Sequence, residues 1–84
     1  YKFYDAQNFL KHYYKHKNDV GVTSLESYLK LANKVITDKK SVHKTVSNGD
    51  IIYYNKQTQY FVVLSKAGYI RSLYKSSYNH YLKQ

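Results

Sequence analysis

Ser41-Val42-His43-Lys44-Thr45-Val46-Ser47-Asn48-Gly49-Asp50-Ile51-Ile52-Tyr53-Tyr54-Asn55 is the stretch that decides the fold. Within Ser41–Ser47, Val42, Lys44 and Val46 alternate with His43 and Thr45, the period of two that belongs to a strand. Asn48-Gly49 is the strongest short hairpin signal a sequence offers, because both residues tolerate positive φ in a tight turn. Asp50–Asn55 then returns as a second strand. Toward the C-terminus, a polar turn at Lys56–Gln59 leads into Tyr60–Ser65, which is rich in β-branched residues and reads as a central strand. Lys66-Ala67-Gly68 turns the chain into a last strand, Tyr69–Lys75. The spans 41–47, 50–55, 60–65 and 69–75 thus form an antiparallel meander, and Ser76–Gln84 is a tail that forms either a short helix or an irregular segment.

Upstream of this stretch the period lengthens. Ala6, Phe9, Leu10, Tyr13 and Tyr14 recur at three and four, which places a helix at about 5–18, with Gly21 as its stop. Thr23 and Glu26 have the spacing of a capping box. The helix that follows, about 24–37, carries Leu25, Tyr28, Leu29, Ala32, Val35 and Ile36 on one face. Two helices need a face to cover, and the meander supplies it. The expected fold class is α+β: two N-terminal helices followed by a four-stranded antiparallel sheet, one domain over residues 1–84 with no repeat or linker.

Composition narrows what such a domain does. Lys and Arg number 14 against 5 acidic residues in 84, a formal charge of +9, and Tyr occurs 12 times. So much like charge on so small a chain repels itself, which points to a polyanionic partner. Nucleic acid fits, since lysines neutralise phosphates and tyrosines stack on unpaired bases. An acidic membrane surface, an acidic protein, or charge that serves solubility alone are the other readings. With no Cys there is no disulfide, no thiol nucleophile and no Cys-based zinc site. No apolar run approaches the roughly 20 residues of a membrane-spanning helix. Val, Ile, Leu and Phe, 21 of the 84 residues, are enough for a core. The chain opens at Tyr1 without Met, so it is expected to be a domain of a longer protein.

His12 and His16, four apart, project from the same side of the first helix, and Lys11, Lys15 and Lys17 lie around them. Three readings compete. A His pair at this spacing can bind a metal, but no Glu follows His12, carboxylates are few, and lysines repel a cation. The pair can also do acid–base work, because histidine titrates near neutral pH and neighbouring lysines favour its neutral form. RNA carries its own nucleophile, the 2′-hydroxyl, so its cleavage needs only a base, a proton donor and cations or hydroxyls around the phosphorane. The third reading is two solvated histidines decorating a basic helix. On the last strand, strict alternation puts Ile70, Ser72 and Tyr74 on one face and Tyr69, Arg71, Leu73 and Lys75 on the other. Ser72 there is a hydroxyl suited to a phosphate and Tyr74 a ring suited to a base; Arg71 is the weaker candidate, and His43 and His80 carry no assigned role.

His12-Tyr13-Tyr14-Lys15-His16 with Gly21, then Ser24, Tyr28-Leu29 and Ala32, then Asn48-Gly49-Asp50-Ile51, Tyr60-Phe61-Val62-Val63 and Gly68-Tyr69-Ile70-Arg71-Ser72-Leu73-Tyr74-Lys75 together resemble the ribonuclease toxin domains of the barnase–EndoU–colicin–RelE superfamily. The likeness covers about residues 9–75. Within that superfamily the pattern is similar to the colicin D-like group, found at the C-termini of contact-dependent growth inhibition and other polymorphic toxins. The resemblance implies metal-independent cleavage of tRNA, often in the anticodon loop, leaving a 2′,3′-cyclic phosphate, with no cofactor. It implies a cognate acidic immunity protein over a basic cleft, and in some members elongation factor Tu. By position it implies a catalytic His16 beside Lys15, with Ser72 and Tyr74 in the active site; the residues themselves add His12 as the complementary acid or base, and Lys11, Lys17, Arg71 and Lys75 as contacts to RNA phosphates. It places the domain in a secreted or cell-surface bacterial toxin that acts in the cytoplasm of a target bacterium. The chain departs from the group at Lys17, where Gly is usual, at Val20 for Phe, Ser72 for Thr and Tyr74 for Trp, and lacks the Pro common after Lys75. The alternative from the residues themselves is a non-catalytic basic module that binds RNA or an acidic protein.

Overall fold

The computed structural model describes residues 1–84. Its elements run β1 (Lys2–Phe3), α1 (Ala6–Val20), α2 (Leu25–Thr37), β2 (Val42–Thr45), β3 (Ile51–Tyr54), β4 (Tyr60–Leu64), β5 (Tyr69–Lys75) and α3 (Tyr78–Leu82). The class is α+β, as expected from the sequence. The sheet has five strands rather than four, in the order β1-β5-β4-β3-β2. The added strand is parallel: Lys2 pairs with Tyr69 and Phe3 with Ile70. Two residues are too few for a period to register, so this strand had no signal of its own.

The caps set where each helix begins and ends. The Asp5 carboxylate accepts from the Asn8 amide at 2.7 Å and starts α1. Gly21, at φ 71°, closes it in the left-handed conformation, so α1 runs two residues past the expected Asn18 and buries Val20. The cap of α2 is Ser24, whose hydroxyl accepts from the Ser27 amide at 3.1 Å, and not Thr23. Glu26 therefore does not close a capping box; it pairs along the helix with Lys30 at 3.0 Å.

The β2–β3 turn also differs from the expected two-residue form. Val46 donates to the Asp50 carbonyl and Gly49 to the Val46 carbonyl, each at 2.9 Å, which closes a three-residue loop. Only Gly49 has positive φ there, while the Asn48 carboxamide oxygen accepts from the Asp50 amide. Ser65, Gly68 and Tyr69 repeat the same arrangement between β4 and β5.

Helices pack on both faces of the sheet, α1 and α2 across one and the short α3 over only part of the other. On one, Val62, Leu64, Ile70 and Leu73 pack under Tyr13, Val20, Tyr28, Ala32 and Val35 of α1 and α2. On the other, Ile52, Tyr54 and Phe61 pack with Tyr81 of α3, so the tail is a helix with a core of its own. Tyrosines serve both layers with their hydroxyls on backbone carbonyls: Tyr28 to Leu73 at 2.6 Å, Tyr54 to Ser76 at 2.9 Å and Tyr60 to Val20 at 3.2 Å.

Candidate active site

β5 does not alternate strictly. Val63 pairs with Ser72 but Leu64 pairs with Ile70, so Arg71 is an extra residue in a β-bulge. The bulge reverses the expected faces. Ile70 joins Leu73 in the helix-covered core, and Arg71 turns to line the same cleft as Ser72. The expectation that Ile70 shares a face with Ser72 and Tyr74, and that Arg71 points away, is corrected by this one residue.

That cleft, about 640 Å³, lies between the outer side of α1 and the loops that follow β2 and β4. His12, Arg71 and Ser72 line it, together with Asp50 and Lys66. Asp50 is buried and its carboxylate accepts from Arg71 Nε at 3.1 Å and from the Asn48 carboxamide at 3.2 Å, which fixes the guanidinium against the cleft wall. A second cleft, walled by Tyr74, Phe61 and Lys83, continues from the first past Asn48, Asp50 and Val63. The two make one groove across the open face of the sheet.

His12 and His16 stack with ring centroids 5.9 Å apart, one helical turn apart as their spacing required. Burial holds the His12 imidazole below its ordinary pKa of 6.5, and the charges of His16, Lys11 and Lys15 push it further down. His16 is nearly enclosed and donates from Nδ1 to the Asp19 carboxylate at 3.1 Å, which fixes its tautomer and leaves Nε2 as the nitrogen free to meet a ligand. Tyr74 lies against His16 at 5.4 Å, and its hydroxyl is hydrogen-bonded to His80 Nε2 at 2.9 Å. Burial raises the Tyr74 phenol, so it keeps its proton at neutral pH.

The structure therefore brings His12, His16, Ser72, Tyr74 and Arg71 together at the junction of α1 and β5. Lys11 and Lys15 stand exposed along the same side of the helix. Lys17 does not join them: its ammonium lies over the Tyr13 and Tyr14 rings at 5.7 and 5.4 Å, across the apolar stripe. Lys75 is exposed at the far end of β5. Asp19, Asp50 and His80 were missed. Asp19 follows His16 by three and was legible as a helical neighbour; Asp50 and His80 reach the site only through sheet pairing and the docking of α3. No group of three or more His, Asp or Glu side chains converges, so no third protein ligand joins the two histidines.

No family model and no curated protein matches the chain. Among solved structures it is similar to a ribonuclease from Escherichia coli complexed with its inhibitor protein, at 24% identity and a TM-score of 0.72, over 90% of this chain and 96% of that one. The likeness extends to the whole fold, helices and sheet alike. The class it defines is one of fold, an α+β domain of helices packed on a sheet.

Proposed function

We propose that this domain is an endoribonuclease of the toxin kind, cutting tRNA without a metal. The observation that carries the reading is the stacked His12–His16 pair beside Ser72 and an anchored Arg71 at the mouth of one groove. The colicin D-like sequence pattern and the fold shared with a ribonuclease support it.

The chemistry follows from the environments. Neutral His12 takes the proton of the substrate 2′-hydroxyl, and O2′ attacks the adjacent phosphorus. His16, oriented by Asp19, gives a proton to the departing 5′-oxygen, so the P–O5′ bond breaks and a 2′,3′-cyclic phosphate remains. Arg71, Lys15 and the Ser72 hydroxyl offset the charge that grows on the non-bridging oxygens. Tyr74, held by His80, positions a base. An acidic immunity protein over the groove would neutralise the lysines there and block the substrate. The setting that suits this activity is the cytoplasm of a target bacterium, reached from a secreted or surface toxin.

The test is to incubate the domain with total tRNA in EDTA, with and without elongation factor Tu, and map new ends. Cyclic-phosphate ends that vanish in His16→Ala are the expected result. Intact tRNA, or His16→Ala cutting at the wild-type rate, overturns the proposal, and tight binding without scission would favour a non-catalytic basic module.

A further inference from the structure

Tyr28 and Tyr54 bury their rings, and both they and the partly buried Tyr60 place their hydroxyls on backbone carbonyls. Tyr4 and Tyr69 do neither. They are 66% and 44% exposed, yet they touch each other edge-to-face with ring centroids 5.7 Å apart. Their position follows from the short parallel strand. Phe3 and Ile70 are paired partners and both turn into the helix-covered core. The alternation of a strand then sends Tyr69 to the opposite face, and Tyr4, one residue beyond Phe3, joins it there. Both line the cleft that also holds His12, Arg71 and Ser72.

The two rings leave much of their surface to water in the free domain, and here they adjoin polar groups. Lys66 and Asn48 border the same cleft, and Arg71 is anchored within it. The volume of about 640 Å³ is of the size that encloses a small ligand. An aromatic wall, a cation and an amide around a space of that size match the parts of a nucleotide. The ring faces the base, the cations face the phosphates, and the amide reaches a base edge.

We propose that Tyr4 and Tyr69 form a base-stacking subsite for the nucleoside next to the scissile phosphate. This rests on the ribonuclease reading above and adds a selectivity to it. A base can stack on Tyr69 only when it has left its own helix, so the site selects unpaired RNA over duplex. Tyr69 supplies the platform, and Tyr4, set against it, keeps the ring from turning.

The test uses a short single-stranded RNA made uncleavable by 2′-deoxy substitution at the scissile position, with 2-aminopurine as the neighbouring base. Binding is expected to quench its fluorescence. Tyr69→Ala, or an abasic nucleotide at that position with the wild-type protein, is expected to weaken binding by about 5- to 150-fold, the range for losing one stacked base. Tyr69→Phe should retain it, and Tyr14→Ala, an exposed ring outside the cleft, should match wild type. Equal affinity for the abasic and intact ligands overturns the subsite. Scission of tRNA is measured beside it. Quenching without scission keeps the subsite and removes the ribonuclease reading, whereas scission with full affinity in Tyr69→Ala does the reverse.

Discussion

Replacing Tyr28 by Phe tests the joint between the helical layer and the strand that carries the site. Tyr28 is fully buried and donates its hydroxyl to the Leu73 carbonyl at 2.6 Å, behind the backbone that presents Ser72 and Tyr74. Phe fills the same space but leaves that carbonyl without this donor, a loss of about 1–3 kcal/mol. For a chain of this size the whole stability is roughly 4–12 kcal/mol, so the loss is a sizeable share of it. The melting temperature should fall by about 4–8 °C for each kcal/mol.

Raising the pH should erase the difference. Burial pushes the Tyr28 phenol well above its ordinary value of 10.0, so folding favours the protonated form. Below about pH 10 the phenol is neutral in both folded and unfolded chains, and the full stability is present. Above it the unfolded chain releases a proton that folded Tyr28 retains, and the wild type loses about 1.4 kcal/mol per pH unit from this residue. Phe has no proton to release, while Tyr54 and Tyr81, also raised by burial, act equally in both proteins and cancel. Urea unfolding followed by circular dichroism, from neutral pH upward, should show a deficit that shrinks above about pH 10 and closes one to two units higher. A deficit that stays constant across that range would refute the reasoning.

Three further outcomes follow from the site. His12→Ala and His16→Ala should each slow scission by about 10²- to 10⁴-fold with unchanged circular dichroism, measured on tRNA under single-turnover conditions. With His12 as base, the acid limb of the rate–pH profile should have its midpoint below 6.5, and Lys15→Gln, which removes one of the charges holding it down, should move that midpoint upward. Arg71→Ala should weaken RNA binding and reduce the slope of log affinity against log salt by about 1, as loss of one phosphate contact requires; an unchanged slope would show that Asp50 already consumes the charge.

What the residues disclosed, and what they withheld, divides by the range of the interaction. The helices, the four main strands and the His12–His16 face rest on periods of three to four and two, which are local, and they are present in the structure. The errors lie where one residue decides a register. A single extra residue at Arg71 exchanged the faces of Ile70 and Arg71 with respect to Ser72, and no propensity distinguishes a bulge from regular strand in Tyr69–Lys75. Ser24 caps α2 in place of Thr23: the two are adjacent hydroxyls of the same capping chemistry, and the spacing from Thr23 to Glu26 pointed to the wrong one. β1 and His80 were out of reach for another reason: the first is too short to show a pattern, and the second gains its place only when α3 docks across Phe61.

The few acidic residues explain how so basic a domain holds together without cancelling its own charge. Asp5 caps α1, Asp38 accepts from the Lys40 amide and the Asn55 carboxamide, and Glu26 holds Lys30 on the surface of α2. The remaining two, Asp19 and Asp50, are spent on His16 and Arg71. Every lysine except Lys30 thus stands without a carboxylate within 4 Å. Neutralising the lysines with more acids would have relieved self-repulsion, yet the carboxylates at the groove are placed where they orient a ring and a guanidinium instead. In that arrangement the fold tolerates the repulsion, and the polyanionic substrate proposed above would relieve it. The acidic inhibitor proposed above would use the same imbalance: it would satisfy the exposed lysines without offering a 2′-hydroxyl to His12.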